Sequence, residues 1–442
     1  RRAAHKHSEP SLIFSCTPSV TRTQSAGPLV TSDQVFAWHR YLISGTRTHQ
    51  AMVAATMSSE LQMDLDGRVR ALFMEFLPVF NPTGGEAELL EKVAGWLRER
   101  GIECVSDTSW GLWFQYTDTS DPMREAQDPL LLMAHLDSEE RYLDRKGMAG
   151  IKYNVFADEF CFRGPIGLDC KTGIVMVLAI VEQIMSGLIP GASVKVLFTV
   201  AEEIGQRGLL RMPRDVLAAI TQDVKFVIAL DRSTEAGGDL VPGRHVIKHY
   251  CGVDMISPGG QAWLDKMLRL ACISAKVPLL IQTESPNCSD ILELKMRHEC
   301  ELVLPAAAEH ADSRAEWLQL KKLLSEYTLH TEKFREMINT AEAENPGSRP
   351  CGMSESPRSD RYEVARQVSK WLAKEMENGV PGTGVGSLSA VNLSYSYSDP
   401  LPRKKGSCSV QELCQTSRLV LALIHHNQKT APLIQSDGDD EA

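Results

Sequence analysis

Six side chains able to hold a metal ion or move a proton stand where apolar segments begin or end: His135, Asp137, Asp169, Glu202, Glu203 and Asp231. His135 closes the run Leu130-Leu131-Leu132-Met133-Ala134, Glu202 and Glu203 follow the segment from Val194 to Val200, and Asp231 closes Phe226-Val227-Ile228-Ala229-Leu230. Asp169 lies in the glycine-rich turn Gly164-Pro165-Ile166-Gly167-Leu168-Asp169, at the start of an apolar helix. Singly, each has an ordinary explanation: an interior histidine, a helix N-cap for Asp169, surface charge for the glutamates, an ion pair with Arg232 for Asp231. None of these explains the others. In open α/β sheets the functional crevice lies beyond the carboxyl ends of the strands, so residues at three strand exits converge there although they are far apart in sequence. The combination therefore reads as a metal site.

The segments that must position these residues alternate between two periodicities. Val69, Leu72, Phe73, Phe76 and Leu77 recur at helical spacing from near Asp64. A second helix carries Leu89, Leu90, Val93, Trp96 and Leu97, with Asn81-Pro82-Thr83 and Glu86 as its turn and cap and Gly101 as its end. Strands are then expected over 102–105, 111–116, 129–135, 153–162, 194–200 and 224–231, with a helix over about 170–186. The runs 130–134 and 226–230 are apolar without a break, as strands buried on both faces should be. Such alternation predicts an α/β fold: a doubly wound, mostly parallel sheet flanked by helices. Further on, the pattern predicts a helix over 261–276, strands over 279–282 and 301–304, and a long helix over 314–341. A helix over 361–376, a strand over 390–397 and a helix over 410–426 close the chain.

The quoted residues fall into short motifs in a particular order: His135-Leu136-Asp137, then Gly167-Leu168-Asp169-Cys170-Lys171-Thr172-Gly173, then Glu202-Glu203-Ile204-Gly205, then the strand-end Asp231. In this order the chain resembles the zinc-dependent exopeptidase superfamily with a co-catalytic metal pair, the aminopeptidases and tripeptidases, over about residues 65–310. The resemblance implies a zinc aminopeptidase-like fold and a hydrolase acting on terminal amide bonds of short peptides. It further implies that His135 and Asp231 ligate one metal, Glu203 the other, and Asp169 both. Asp137 would orient His135, and Glu202 would be the general acid/base. Mixed imidazole and carboxylate ligands suit zinc, with manganese or cobalt as alternatives, and two such ions can polarise a carbonyl and lower the pKa of water.

Two departures accompany the resemblance. Where the family often carries a second acid after the bridging Asp, this chain has Cys170, expected at most behind the ligands. The family's late histidine has two candidate places. One is His310 in Ala308-Glu309-His310, after the strand expected at 301–304 and about 20 residues beyond Ser289-Asp290. The other is the strand Asn392-Leu393-Ser394-Tyr395-Ser396-Tyr397, where the following residues up to Leu401 hold no histidine. The superfamily also includes deacylases of acylated amino acids, and a catalytically silent relative that binds peptide or metal is the alternative from another class.

Bulk properties narrow the field. The 442 residues carry a formal charge of −10, 43% hydrophobic and 24% charged residues, which suits a globular metal-collecting protein and argues against a nucleic-acid groove. No uninterrupted apolar run reaches the length of a membrane span. The 11 cysteines form no C-x-x-C pair, so reduced thiols are expected. Residues 1–60 are poor in acids and rich in Arg, Ser and Thr. They read either as an organelle transit segment or as a disordered leader upstream of a start at Met52, Met57 or Met63, leaving a cytoplasmic or organellar location open. The expected partition is a leader to residue 60, a catalytic domain over 61–341 and a linker or insertion over 342–360. A helix-strand-helix segment over 361–430 that completes the sheet and an acidic tail over 431–442 follow.

Overall fold

The computed structural model describes residues 59–120, 128–139, 143, 145–156, 158–163, 166–224, 226–231, 245–250, 267–273, 275, 279–284, 290–309, 313–344, 357–377, 389–394 and 405–434. Chain contacts divide the molecule into Arg1–Met52 and Val53–Ala442, and all described residues belong to the second unit. Residues 1–58 of the expected leader, His310, the stretch around Leu401 and residues 435–442 of the expected tail lie outside the described residues, whereas residues 59–60 and 431–434 are helical.

Eleven strands are described: β1 (Val105–Asp107), β2 (Gly111–Thr117), β3 (Leu130–His135), β4 (Lys152–Asn154), β5 (Glu159–Arg163), β6 (Ser193–Thr199), β7 (Phe226–Ala229), β8 (His245–Tyr250), β9 (Leu279–Glu284), β10 (Ser389–Ser394) and β11 (Lys405–Ser409). Eight of them form one sheet in the order β1-β2-β6-β3-β7-β10-β8-β9, and β11-β5-β4 form a small second sheet. The four central strands β6, β3, β7 and β10 run parallel, and β2 and β8 reverse direction at either flank. The fold is therefore α/β with helices on both faces, and the sheet is mixed: its four central strands are parallel, and β8 pairs in parallel with β9 at one edge.

The helices are α1 (Ser59–Phe76), α2 (Ala87–Glu99), α3 (Arg145–Ala149), α4 (Leu168–Met185), α5 (Arg207–Arg211), α6 (Arg214–Thr221), α7 (Asp290–Arg297), α8 (Leu304–Glu309), α9 (Arg314–Glu344), α10 (Pro357–Glu377) and α11 (Val410–Ile434). A π-helical turn, His298–Val303, joins α7 to α8. Pleating divides each central strand between two cores. Leu130, Leu132 and Ala134 face a core shared with α1, α2, α4 and α11, whereas Leu131 and Met133 face one shared with α5 to α10. Among the described residues no helix is long and apolar enough to cross a membrane, and the seven described cysteines whose state is defined are free thiols.

Several sequence expectations need correction. The strand predicted over Glu301–Leu304 is helical: Lys295–Glu299 and Arg297–Glu301 pair one turn apart, and the apolar Val303, Leu304 and Ala308 all turn into one core. A short apolar run has no period of its own, so its neighbours decide. The strand predicted over 153–162 is two strands, β4 and β5. The stretch 342–360 is helical at both described ends, to Glu344 and again from Pro357, a proline at the first helical position where its missing N–H costs nothing. β10, drawn from beyond that stretch, lies between β7 and β8 within the main sheet.

Helix α4 comes close to the strand exits at one residue. A Cβ on Gly173 would stand 2.2 Å from the Leu230 carbonyl oxygen and 2.6 Å from Cys170 Sγ. Backbone oxygen cannot yield, so Gly173→Ala is expected to cost about 1–3 kcal/mol of stability, the range for overpacking a fixed site. A urea denaturation midpoint unchanged from the parent would show that α4 can move away.

Candidate metal centre

The site is built on Asp137, two residues past the end of β3. Its carboxylate is fully buried and accepts hydrogen bonds from the Glu202 amide (2.9 Å), the Glu203 amide (3.1 Å) and Thr83 Oγ1 (3.0 Å). Burial alone would raise its pKa, but His135 and the two amides outweigh that and hold Asp137 below the ordinary carboxylate value. The His135 ring lies with Nδ1 2.9 Å from the Asp137 backbone oxygen and 3.4 Å from Oδ1. That side of the ring is thus committed to donation, and Nε2 faces the opposite way.

Nε2 points at two more acids. It stands 3.3 Å from Asp169 Oδ1 and 3.5 Å from Asp231 Oδ1. Asp169 is carried into this position because Gly167 adopts φ +68°, and because Asp169 and Cys170, joined by a cis peptide, have non-helical backbone angles before α4 proper begins. A Cβ on Gly167 would also meet Ser138 Oγ at 2.8 Å, so both conformation and space call for glycine here. Ser138 Oγ in turn donates to the Asp169 carbonyl (2.6 Å), and Lys171 Nζ donates to the carbonyls of Leu77, Val79 and Ile166.

Glu202 and Glu203 occupy a turn after β6. Gly205 and Gln206 both donate backbone N–H to the Glu202 carbonyl (3.0 Å), Gly205 at φ +98° and Gln206 at +55°, which explains the glycine of the E-E-x-G motif. Gln206 Nε2 donates to Glu202 Oε1 at 3.0 Å. Burial pushes Glu202 well up from the ordinary value and Glu203 up to about 8, with the neighbouring Asp169 adding to the latter. His135 experiences the reverse balance: burial pulls its pKa down, but Cys170, Asp137, Asp169 and Asp231 together hold it well above the usual imidazole value.

The structure thus brings together all six residues singled out in the sequence. Two groups of ligand atoms lie within 4.8 Å of one another: His135, Asp169, Cys170 and Asp231, and His135, Glu202 and Glu203. The separations from Nε2 to the two aspartates match the roughly 3.3–3.6 Å edges of a tetrahedral shell with ligand bonds near 2.0–2.2 Å. Carboxylates crowded in this way either keep their protons or are balanced by positive charge, which a divalent cation supplies most compactly. The residues present therefore fit a metal.

Four contributors escaped the sequence reading. Glu86, expected to cap α2, makes no such bond. It accepts the Ala201 amide instead (3.1 Å), steadying the Glu202 turn. Thr83 serves Asp137 rather than a helix end. Cys170 comes within ligand distance of the site. Asp290, at the start of α7, contacts Thr199 Oγ1, and burial among the other acids raises it to about 7. In the sequence it figures only within Ser289-Asp290, as a landmark upstream of His310, without a role of its own.

No protein-family model matches the chain, and no curated protein matches it. Solved structures give remote likenesses. The aminopeptidase PepT from Bacillus cereus is 16% identical, with a TM-score of 0.41 over 82% of this chain and 98% of that one. A tripeptidase from Staphylococcus aureus is 13% identical, with a TM-score of 0.41 over 82% and 99%. A TET aminopeptidase from a marine sediment Thaumarchaeota archaeon is 11% identical, with a TM-score of 0.46 over 82% and 99%.

Lys171 ties the 77–79 loop to the turn that carries Asp169. Lys171→Met is expected to leave three buried carbonyls short of a donor, at about 1–3 kcal/mol each, and to lower the melting temperature well beyond what a surface lysine would. A melting temperature matching the parent would show that other donors serve those carbonyls.

Proposed function

We propose that this chain is a metal-dependent hydrolase of the exopeptidase kind, cleaving the terminal amide bond of short peptides with the help of two divalent ions, zinc foremost. The observation that carries this reading is the convergence of His135, Asp169, Asp231, Glu202 and Glu203, from separate strand exits and turns, on one buried spot.

In this reading His135 and Asp231 would hold one ion, Glu203 the other, and Asp169 both, with His310 as the remaining imidazole of the second. Bound ions would act as Lewis acids on the scissile carbonyl and on water. Glu202 takes the proton from the attacking water as oxygen adds to the carbonyl carbon, and returns it to the amine nitrogen as the C–N bond breaks. Its burial, which favours the protonated form, and its hydrogen bond from Gln206 suit a group that must hold that proton between the two steps. Asp137 keeps Nδ1 of His135 occupied so that Nε2 faces the ion.

Glu202→Gln should keep both metals and lose about 10²–10⁴-fold in turnover, the usual share of proton transfer. Metal analysis alongside a peptide-cleavage assay checks this, and near-parental turnover would remove Glu202 from the chemistry. Asp169→Asn should lose both ions at once, since an amide cannot replace a shared charge. Two tightly bound metals in that variant would reduce Asp169 to a structural role. His310→Ala should lose one ion of the two; unchanged metal content would exclude His310 as a ligand.

A further inference from the structure

Cys170 is the residue at which this chain departs from the motif order it resembles, and it sits inside the ligand cluster. Its Sγ lies within 4.8 Å of ligand atoms of His135, Asp169 and Asp231, and its side chain has no exposed surface. Adjacent residues on a helix point about 100° apart and cannot serve one ion. Asp169 (φ −85°, ψ +108°) and Cys170 (φ −112°, ψ +30°) escape that constraint because neither is helical. The sulfur is also fixed in place. Its S–H donates to the Leu230 carbonyl at 2.8 Å, one residue before Asp231, and the backbone of Gly173 closes over it.

We propose that the Cys170 sulfur is a fourth ligand of the ion held by His135, Asp169 and Asp231, giving that position a nitrogen, two carboxylate oxygens and a sulfur. The proposal rests on the metal-centre reading above. With four protein donors in place, the Lewis-acid role read above would use a fifth position, an expansion open to zinc. On binding, the S–H bond breaks, the sulfur keeps the electron pair and donates it to the cation, and the proton leaves to solvent. A divalent ion in contact favours the thiolate over the thiol. A sulfur donor also narrows the choice of metal. Zinc and cobalt accept thiolate readily, whereas manganese and magnesium favour oxygen, so the Cys170 position should discriminate where an all-oxygen and nitrogen set would not.

The test is cobalt(II) titration of the metal-stripped full chain. The wild-type protein should develop visible ligand-field bands together with a near-ultraviolet sulfur-to-cobalt charge-transfer band that saturates at one equivalent. Cys170→Ser should keep ligand-field absorption and lose the charge-transfer band. Its zinc affinity, measured against a competing chelator, should fall on the order of 10- to 100-fold or more, with manganese affinity unchanged. Cys170→Ala, which places no polar atom in the buried space, serves as the second variant if the serine does not fold. Visible bands without a charge-transfer band in the wild type, or a charge-transfer band that survives both substitutions, would overturn the proposal and leave the metal centre standing. Absence of any cobalt binding would overturn both.

Discussion

Two backbone amides donating to one buried carboxylate hold the site together. Asp137 has no access to water, and an anion in that position is tolerable only when its oxygens are met by donors. The amides of Glu202 and Glu203 and the hydroxyl of Thr83 meet that need, and each comes from a different part of the chain than Asp137 itself. The exit of β3 is thereby locked to the exit of β6, the His135 ring is turned by the residue that follows it, and the two glutamate side chains are presented beside that ring. Remove the carboxylate charge, and the turn after β6 and the ring after β3 lose their common anchor.

Around that anchor the molecule concentrates what folding normally disperses. Glu203 and Asp290 are raised to about 8 and about 7 chiefly by burial, and Glu202 is pushed up as well. Each of these acids is less stable here than in water, so the surrounding scaffold must fix them against their preference. Much of that scaffold consists of carbonyl and amide contacts that no solvent can disturb. Lys171 spans three carbonyls, Glu86 braces the amide of Ala201, and Ser138 binds the carbonyl of Asp169. A bound cation would offset the remaining repulsion, so stability and metal binding draw on the same residues.

The strand exits were legible because the sequence marks them twice, with an unbroken apolar run and then an abrupt polar residue. Leu130 to Ala134 ends on His135, and Phe226 to Leu230 ends on Asp231; burial on both faces is what such runs require. The reversal of β2 and β8, and the entry of β10 between β7 and β8, were not legible. Pairing partners distant in sequence are chosen by the whole sheet, and nothing local in Ser389–Ser394 records its neighbours. Leu302-Val303-Leu304 misled for the related reason that three apolar residues carry no period, while the i,i+4 pairs Lys295–Glu299 and Arg297–Glu301 that decide the matter lie upstream. Cys170 was expected behind the ligands on the resemblance alone, and no local pattern in the sequence marks its backbone angles. The non-helical angles at Asp169 and Cys170 are a property of the turn as a whole.

The helix that precedes that misread strand has its own bearing on the site. Asp290 and Arg297 open and close α7, seven residues apart, which is two turns and therefore the same face of the helix. Asp290 contacts Thr199 at the end of β6, and Arg297 reaches the carbonyls of Leu209 and Met212 just beyond the Glu202 turn. A single rigid element thus grips the chain on both sides of Glu202 and Glu203. Glu293, three residues after Asp290 and so on the same side of the helix, is held in turn: it pairs with Arg361 of α10 at 2.6 Å, and both side chains are buried. A buried pair of this kind adds little net stability compared with apolar packing, but it penalises any register in which either charge stands alone. Fixing the register of α7 fixes where Asp290 and Arg297 meet the chain on either side of the Glu202 turn, so charge buried in the helical layer contributes positional accuracy to the site at the strand exits.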